Sequence, residues 1–228
     1  MAKLVQDASL TSVANAIREK TGGTDPLTFP SGFVSAIEGI TTATEPYVEE
    51  TFDAQSNLIR AVLHGYIVTA TYMFYNSNKL ASVSLPDGII LISHHAFENC
   101  TNLALTSLPN TVQTIGYYAF RNCASLAITS LPSGLIAIHG NAFQNCSSLS
   151  ITSLPSGLDL IQNAAFQNCT NLTSIVFEGT PTSFESDVFL DCTNLTDIKV
   201  PWAEGAVAGA PWGATNATIT YNYTGEGE

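Results

Sequence analysis

Five cysteines, four histidines and a group of tyrosines are the residues with which this 228-residue chain can do chemistry, and their spacing limits what that chemistry is. Cys100, Cys123, Cys146, Cys169 and Cys192 follow one another at intervals of 23, with no Cys-x-x-Cys pair among them. Evenly spaced thiols form a line, whereas a structural zinc site needs a tetrahedron. Stacked equivalents would also lie about 4.8 Å apart, beyond the roughly 3.5–4.5 Å that separates the Cβ atoms of a disulfide. Five buried free thiols acting as small apolar filler are expected. His94 and His139 stand two repeats apart, about 10 Å at strand spacing, which argues against a shared metal with bonds of about 2 Å. The neighbours His94 and His95 point differently.

Catalysis finds no residues to carry it. Between Thr101 and Leu158 the one acid or base besides His, Cys and Tyr is Arg121, so the middle of the chain offers no pair of carboxylates for hydrolysis. There is no Gly-x-Ser-x-Gly elbow and no Gly-rich phosphate loop. The chain does not read as an enzyme, and no cofactor is expected. Binding is the remaining chemistry. Tyr72, His94, His95, Tyr117, Tyr118, His139 and Asn141, with Gln162 and Asn163, fall two to four positions before a recurring phenylalanine. Their rings can stack on sugars or peptides, with amides beside them for hydrogen bonds.

The elements that position these residues follow from the same period. Phe74, Phe97, Phe120, Phe143, Phe166 and Phe189 recur every 23 residues without insertion or deletion, inside the range of leucine-rich repeats. Six residues after each stands Leu80, Leu103, Leu126, Leu149, Leu172 or Leu195, and five before the later ones stands Ile92, Ile115, Ile138, Ile161 or Phe184. Eleven after come Leu85, Leu108, Leu131, Leu154, Phe177 and Val200, usually followed by proline, which cannot donate to a ladder and ends a strand. Gly88, Gly134 and Gly157 offer permissive turn positions. Each rung reads as a short parallel strand ending at Leu-Pro, a turn, a second extended piece, and a helical or 3₁₀ turn around Ala-Phe. No rung buries its apolar face alone, so stacking makes the core. The fold class is a leucine-rich-repeat solenoid of six rungs, numbered here by their phenylalanines.

Two columns are irregular or unusual. Rungs 1, 5 and 6 place Val83, Ile175 and Ile198 nine positions after Phe, whereas rungs 2 to 4 have Thr106, Thr129 and Thr152 there and move the apolar residue one place earlier, to Leu105, Ile128 and Ile151. A one-place shift swaps strand faces and implies a bulge or a different local backbone. Before each cysteine runs Asn76 (before Ser77), Asn99, Asn122, Asn145, Asn168 and Asp191, a ladder expected to satisfy backbone groups of the tight turn. The column persists where a glycosylation pattern fails, as at Asn122-Cys-Ala124.

With 19 acidic and 7 basic residues the net charge is −12, which repels nucleic-acid phosphate and anionic lipid. Nothing approaches the roughly 20 apolar residues of a membrane helix, so direct membrane insertion is not expected. MAKLVQDASL is not expected to be a signal peptide. The chain divides into an N-terminal helical module (1–40), a linker and β-hairpin cap (41–66), the solenoid (67–200) and a C-terminal cap (201–228). In the first module Ser9 caps a helix bearing Leu10, Val13, Ala14 and Ile17, with Gly22 beyond its end. Tyr47–Leu63 reads as a hairpin turning near Ala54–Asn57, and Trp202, Trp212 and a strand over Ala217–Tyr223 should close the other end, because bare solenoid ends expose core and strand edges.

Runs such as SLPSGLIAIHGNAFQNCSSL (Ser130 to Leu149) resemble the BspA-type leucine-rich repeat family of bacterial surface proteins over about residues 67 to 200. The resemblance implies a right-handed solenoid used for adhesion or ligand capture, and transfers no defined binding residues. Residues 2–40, and the flanks YVEETFDAQSNLIRAVLHGY and VPWAEGAVAGAPWGATNATITYNY, resemble tail-associated proteins of phages and prophages of Gram-positive bacteria. Two settings follow: a virion-associated module anchored to a tail assembly through residues 1–40, or an exported cell-surface adhesin. In either, the expected partner is a protein or glycan on a cell surface. A purely structural spacer is the remaining alternative.

Overall fold

The computed structural model describes residues 46–225. The expected helical module of residues 1–40 lies outside them. Residues from Pro46 onward form one compact unit. Its chain opens with β1 (Tyr47–Phe52) and β2 (Leu58–His64), paired antiparallel. Asp53 makes the turn between them: its Oδ1 accepts the amides of Gln55 and Asn57 at 2.9 and 2.8 Å. The rungs then contribute β3 (Ser82–Ser84), β4 (Leu91–Ile92), β5 (Thr114–Ile115), β6 (Ala137–Ile138), β7 (Ser153–Leu154), β8 (Leu160–Ile161), β9 (Ser174–Phe177), β10 (Ser183–Phe184) and β11 (Asp197–Lys199), and β12 (Thr218–Thr220) closes the series. All pairings after the hairpin are parallel.

The second extended piece of each rung builds one continuous sheet, ordered β10-β8-β6-β5-β4. The Leu-Pro pieces do not. They split into β1-β2-β3 at one end and β12-β11-β9-β7 at the other, and the strands expected in rungs 2 and 3 are absent. The break coincides with the threonine shift, although rung 4 shares the shift and keeps β7. Leu105, Ile128 and Ile151 turn toward the core, Ile128 and Ile151 being fully buried, while Thr106, Thr129 and Thr152 are exposed. That choice of faces is out of step with the regular pleat of β3, β9 and β11, whose centres are the buried Val83, Ile175 and Ile198. The shift is therefore a different local backbone over rungs 2 and 3, not a bulge in an unbroken strand.

The core is a stack. Six phenylalanine rings from Phe74 to Phe189 lie face to face with centroids 5.2–5.7 Å apart, flanked by buried columns of Leu, Ile and Ala. The Ala-Phe segments form tight turns closed by i→i+3 hydrogen bonds of the 3₁₀ type, as in Ala96 N–H to the Ser93 carbonyl, none of which extends into a helix. Left-handed residues bracket the first five turns and close the sixth, and forbid helix propagation: Tyr72, His95, Tyr118, Asn141 and Ala164 on one side (φ 56–59°), Asn76, Asn99, Asn122, Asn145, Asn168 and Asp191 on the other (φ 56–64°). The turns join rung to rung through bonds such as Phe97 N–H to the Ala119 carbonyl, 2.8 Å.

This bracketing corrects the role expected of the asparagines. Their amides bond one another, Asn99 to Asn76, Asn122 to Asn99, Asn145 to Asn122 and Asn168 to Asn145 at 2.6–2.9 Å, while the turn's backbone is satisfied by the next rung. Asparagine suits the column because it tolerates the left-handed region and ladders with itself. Gly88, Gly134 and Gly157, by contrast, do not use the left-handed backbone that glycine permits. All five cysteines are free and buried, each thiol donating to a phenylalanine carbonyl, from Cys100 to Phe74 at 3.1 Å through to Cys192 to Phe166 at 3.0 Å.

Candidate functional site

The residues preceding each phenylalanine separate into two groups with different geometry. Two positions before Phe, the left-handed backbone aligns Tyr72, His95 and Tyr118 in one column. Tyr72 and His95 stack at 4.5 Å and 13°, His95 and Tyr118 at 4.9 Å and 16°. His95 is thus covered on both faces, and the Arg121 guanidinium lies 5.4 Å from the Tyr118 centroid. This column presents ring edges, plus the open side of Tyr72, which is 54% exposed. Asn141 continues the same column without a ring, its amide donating to the Asn163 carbonyl at 3.1 Å.

Beneath the column lies a buried carboxylate that spacing alone does not single out. Glu98 is 5% exposed and joins two partners: His95 Nδ1 at 2.5 Å and the Arg121 guanidinium at 3.2 Å. A buried carboxylate needs such partners, since desolvation without them is costly. Glu98 and Arg121 occupy one column, just after Phe, continued by the hydrogen-bonded pair Gln144 and Gln167. The available signal was Arg121 itself, a lone charge in a neutral stretch with an acid one repeat before it.

The second group is His94, Tyr117 and His139. Their rings make an open triangle, with centroids 5.2 Å (His94–Tyr117), 4.7 Å (Tyr117–His139) and 6.0 Å (His94–His139). The two histidines are closer than the two-rung separation implied, because Gly116 leaves room for His94 to lean. A Cβ on Gly116 would sit 2.6 Å from His94 Nδ1. His94 Nδ1 accepts the Tyr117 amide at 2.9 Å, and His139 Nδ1 meets the Gln162 amide oxygen at 2.7 Å. Accepting at Nδ1 fixes His94 neutral with its proton on Nε2, a tautomer that leaves no lone pair for a metal. Desolvation, then the neighbouring His139 and His95, hold the His94 pKa below the ordinary imidazole value. Among the described residues no group of three or more His, Cys, Asp or Glu is arranged to hold a metal ion. Tyr117, in the middle rung of the triangle, is 39% exposed. Gln162 and Asn163 extend the edge; Glu185 accepts from the Asn163 backbone at 2.8 Å.

The Leu-Pro face carries a second concavity. A groove of about 490 Å³ opens over rungs 1 to 3, lined in part by Leu85, Leu108, Leu131, Ser107 and Ser130, with Asp87 at its border.

Comparison with known proteins agrees with the architecture. Solved structures with similar folds include a leucine-rich repeat protein from Bacteroides ovatus, 22% identical with a TM-score of 0.55, the match covering 67% of this chain and 45% of that one. The leucine rich repeat protein of T. pallidum is 25% identical with a TM-score of 0.52, over 68% of this chain and 82% of that one. A leucine rich cell surface protein from Faecalibacterium prausnitzii is 18% identical with a TM-score of 0.43, over 60% and 52%. This chain therefore spans less than half the length of the first of these. No curated protein matches it. Six copies of the BspA type leucine rich repeat region match residues 68–199, more than half of the sequence, and the chain belongs to that family.

Proposed function

We propose that this protein is a non-catalytic recognition module displayed at a bacterial surface, where the edge formed by Tyr72, His94, His95, Tyr117, Tyr118, His139 and Asn141 contacts a protein or glycan. One observation carries the reading: a solenoid whose remaining aromatic columns are buried keeps two ring clusters on one outward edge, backed by a paired Glu98 and Arg121. Tyr117 supplies an accessible face, and the stacked column beside it supplies edges and polar ring atoms. Membership of the BspA type family supports display at a surface. Attachment to a virion tail through residues 1–40 is a finer version of the same reading and rests on the sequence resemblance of that segment.

The decisive experiment is attachment of the labelled protein to Gram-positive cells and purified cell-wall glycans, with Tyr117→Ala and Tyr118→Ala combined in one variant. Attachment is expected to fall at least tenfold, about 1.4 kcal/mol, with the fold intact by circular dichroism. Unchanged attachment would remove the edge as the site, and absence of attachment by the parent protein would favour a structural spacer. A signal sequence upstream in the native gene would favour an exported adhesin, and neighbouring tail and lysis genes a virion component.

A further inference from the structure

The interrupted Leu-Pro sheet leaves main-chain groups without partners in one place. In rung 5, β9 is paired on both sides, by β7 and by β11. The equivalent segments Thr106–Leu108 and Thr129–Leu131 of rungs 2 and 3 neither donate nor accept a backbone hydrogen bond among the described residues. The ladder stops just before them, at Ala104 N–H to the Ala81 carbonyl (3.0 Å) and Ala127 N–H to the Leu105 carbonyl (3.1 Å). Backbone amides and carbonyls are obligatory hydrogen-bonding groups, so these are satisfied by water or by a ligand that replaces it. They lie beside the groove of about 490 Å³, within the ~300–1,000 Å³ typical of small-ligand sites.

We propose that the groove over rungs 1 to 3 is a second binding site, for a neutral oligosaccharide that exchanges hydrogen bonds with the free main-chain groups of Thr106–Leu108 and Thr129–Leu131 and with Ser107 and Ser130. The chemistry of the lining selects this occupant. Free amides and free carbonyls alternate along each segment, and a sugar hydroxyl both donates and accepts, so it can use either. Leu85 and Leu131, both half-buried, give limited apolar surface for the C–H faces of a sugar ring, within a lining that is mostly polar and so suits a hydroxyl-rich ligand. Asp87, at the border, is the single charged residue of the lining, and rungs 2 and 3 bring no charge to it, so an acidic or basic ligand gains nothing there. A peptide strand is not accommodated by strand addition, because that needs a free sheet edge and these segments have rung 1 on one side and rung 4 on the other. The site is separate from the aromatic edge, which lies at the opposite end of the repeat beside the Ala-Phe turn.

The test uses the ¹⁵N-labelled full chain. Amide hydrogen exchange comes first: Thr106–Leu108 and Thr129–Leu131 should exchange at least a hundredfold faster than Ser174–Phe177. Equal protection would mean that they are bonded internally, and would overturn the proposal. Maltohexaose, cellohexaose, mannohexaose and xylohexaose are then titrated, with sialyllactose and an extended Ser/Thr-rich peptide for comparison. Saturable shifts at these amides with at least one neutral sugar are expected. Ser107→Trp combined with Ser130→Trp should weaken that affinity at least tenfold, and the smaller Ser130→Gln should weaken it in a chain that keeps its full spectrum. The Tyr117→Ala, Tyr118→Ala variant should bind the sugar unchanged, which separates this site from the aromatic edge. No response to any neutral sugar at millimolar concentration, shifts confined to Tyr117 and Tyr118, or equal binding of the peptide or sialyllactose would each overturn the proposal.

Discussion

At the scale of single residues, the cysteines and asparagines show how one column of a repeat can be chemically potent in type and inert in place. Burial pushes the thiols of Cys100 and Cys192 up to about 12, and those of Cys123, Cys146 and Cys169 well above the ordinary value. A thiol raised in the folded chain favours folding fully below the pKa it has when unfolded, and that contribution is lost as pH rises from there toward the folded value. With an ordinary value of 9.0, stability should hold between about pH 7 and pH 8 and decline from about pH 9 upward. Urea denaturation at each pH checks this, and a flat profile to about pH 11 would show that the thiols are not the buried groups described. The asparagine column makes a different demand. Asn122 needs a left-handed backbone and gives and takes one side-chain bond. Asn122→Gly keeps the backbone and loses the ladder, whereas Asn122→Ala loses both, so alanine should cost about 1 kcal/mol more than glycine in denaturant unfolding. Equal costs would show that the ladder, and not the backbone, fixes the residue.

At the scale of the element, the rung itself was legible because 23-residue spacing without insertions aligns every core column, and Phe97, Ile115, Leu126 and Cys146 are all fully buried where that alignment puts them. What was not legible is how neighbouring rungs meet. Thr106, Thr129 and Thr152 signalled a change of face, but only three-dimensional pairing shows that rungs 2 and 3 lose their strands while rung 4 keeps β7. The column positions of His94 and His139 likewise gave their rung separation and not the lean of His94 over Gly116. That lean is testable through the glycine. A Cβ at Gly116 would meet His94 N at 2.8 Å and Ser93 C at 2.9 Å, both backbone atoms that cannot rotate away. Gly116→Ala should therefore cost about 1–3 kcal/mol and shift the Tyr117 amide resonance as its bond to His94 Nδ1 is displaced. Gly88, with nothing within 4 Å of an added Cβ and no left-handed φ, is the matched control, and Gly88→Ala should be neutral or stabilise by about 0.4–1 kcal/mol. Equal costs at the two sites would mean that glycine entropy, and not inter-rung contact, governs the position.

At the scale of the whole molecule, a solenoid is stabilised by each rung and by its neighbours, so its ends decide where unfolding starts. At the last rung, Trp212 is fully buried, its indole N–H donating to the Ala208 carbonyl at 2.8 Å and its carbonyl accepting from Phe189 N–H at 2.9 Å. Its ring meets Phe184 edge-on at 4.8 Å and lies 6.2 Å from Trp202, while β12 pairs with β11 to cover that strand edge. Phe177 and Phe184, which themselves flank Phe189 at the end of the stack, thus meet tryptophan instead of water. Trp212→Ala should cost about 3–5 kcal/mol, the range for a large aromatic removed from a core. Because coupling is between neighbours, the loss should be graded along the chain. Amide protection should fall most for Phe189 through Lys199 and least for Phe97 through Leu126, read by hydrogen exchange at each resonance. Uniform loss would instead show the rungs unfolding as one unit. In that case a change at the cap would reach the aromatic edge of rungs 1 to 4 without touching it, and Trp212→Ala would weaken surface attachment as much as it weakens the fold.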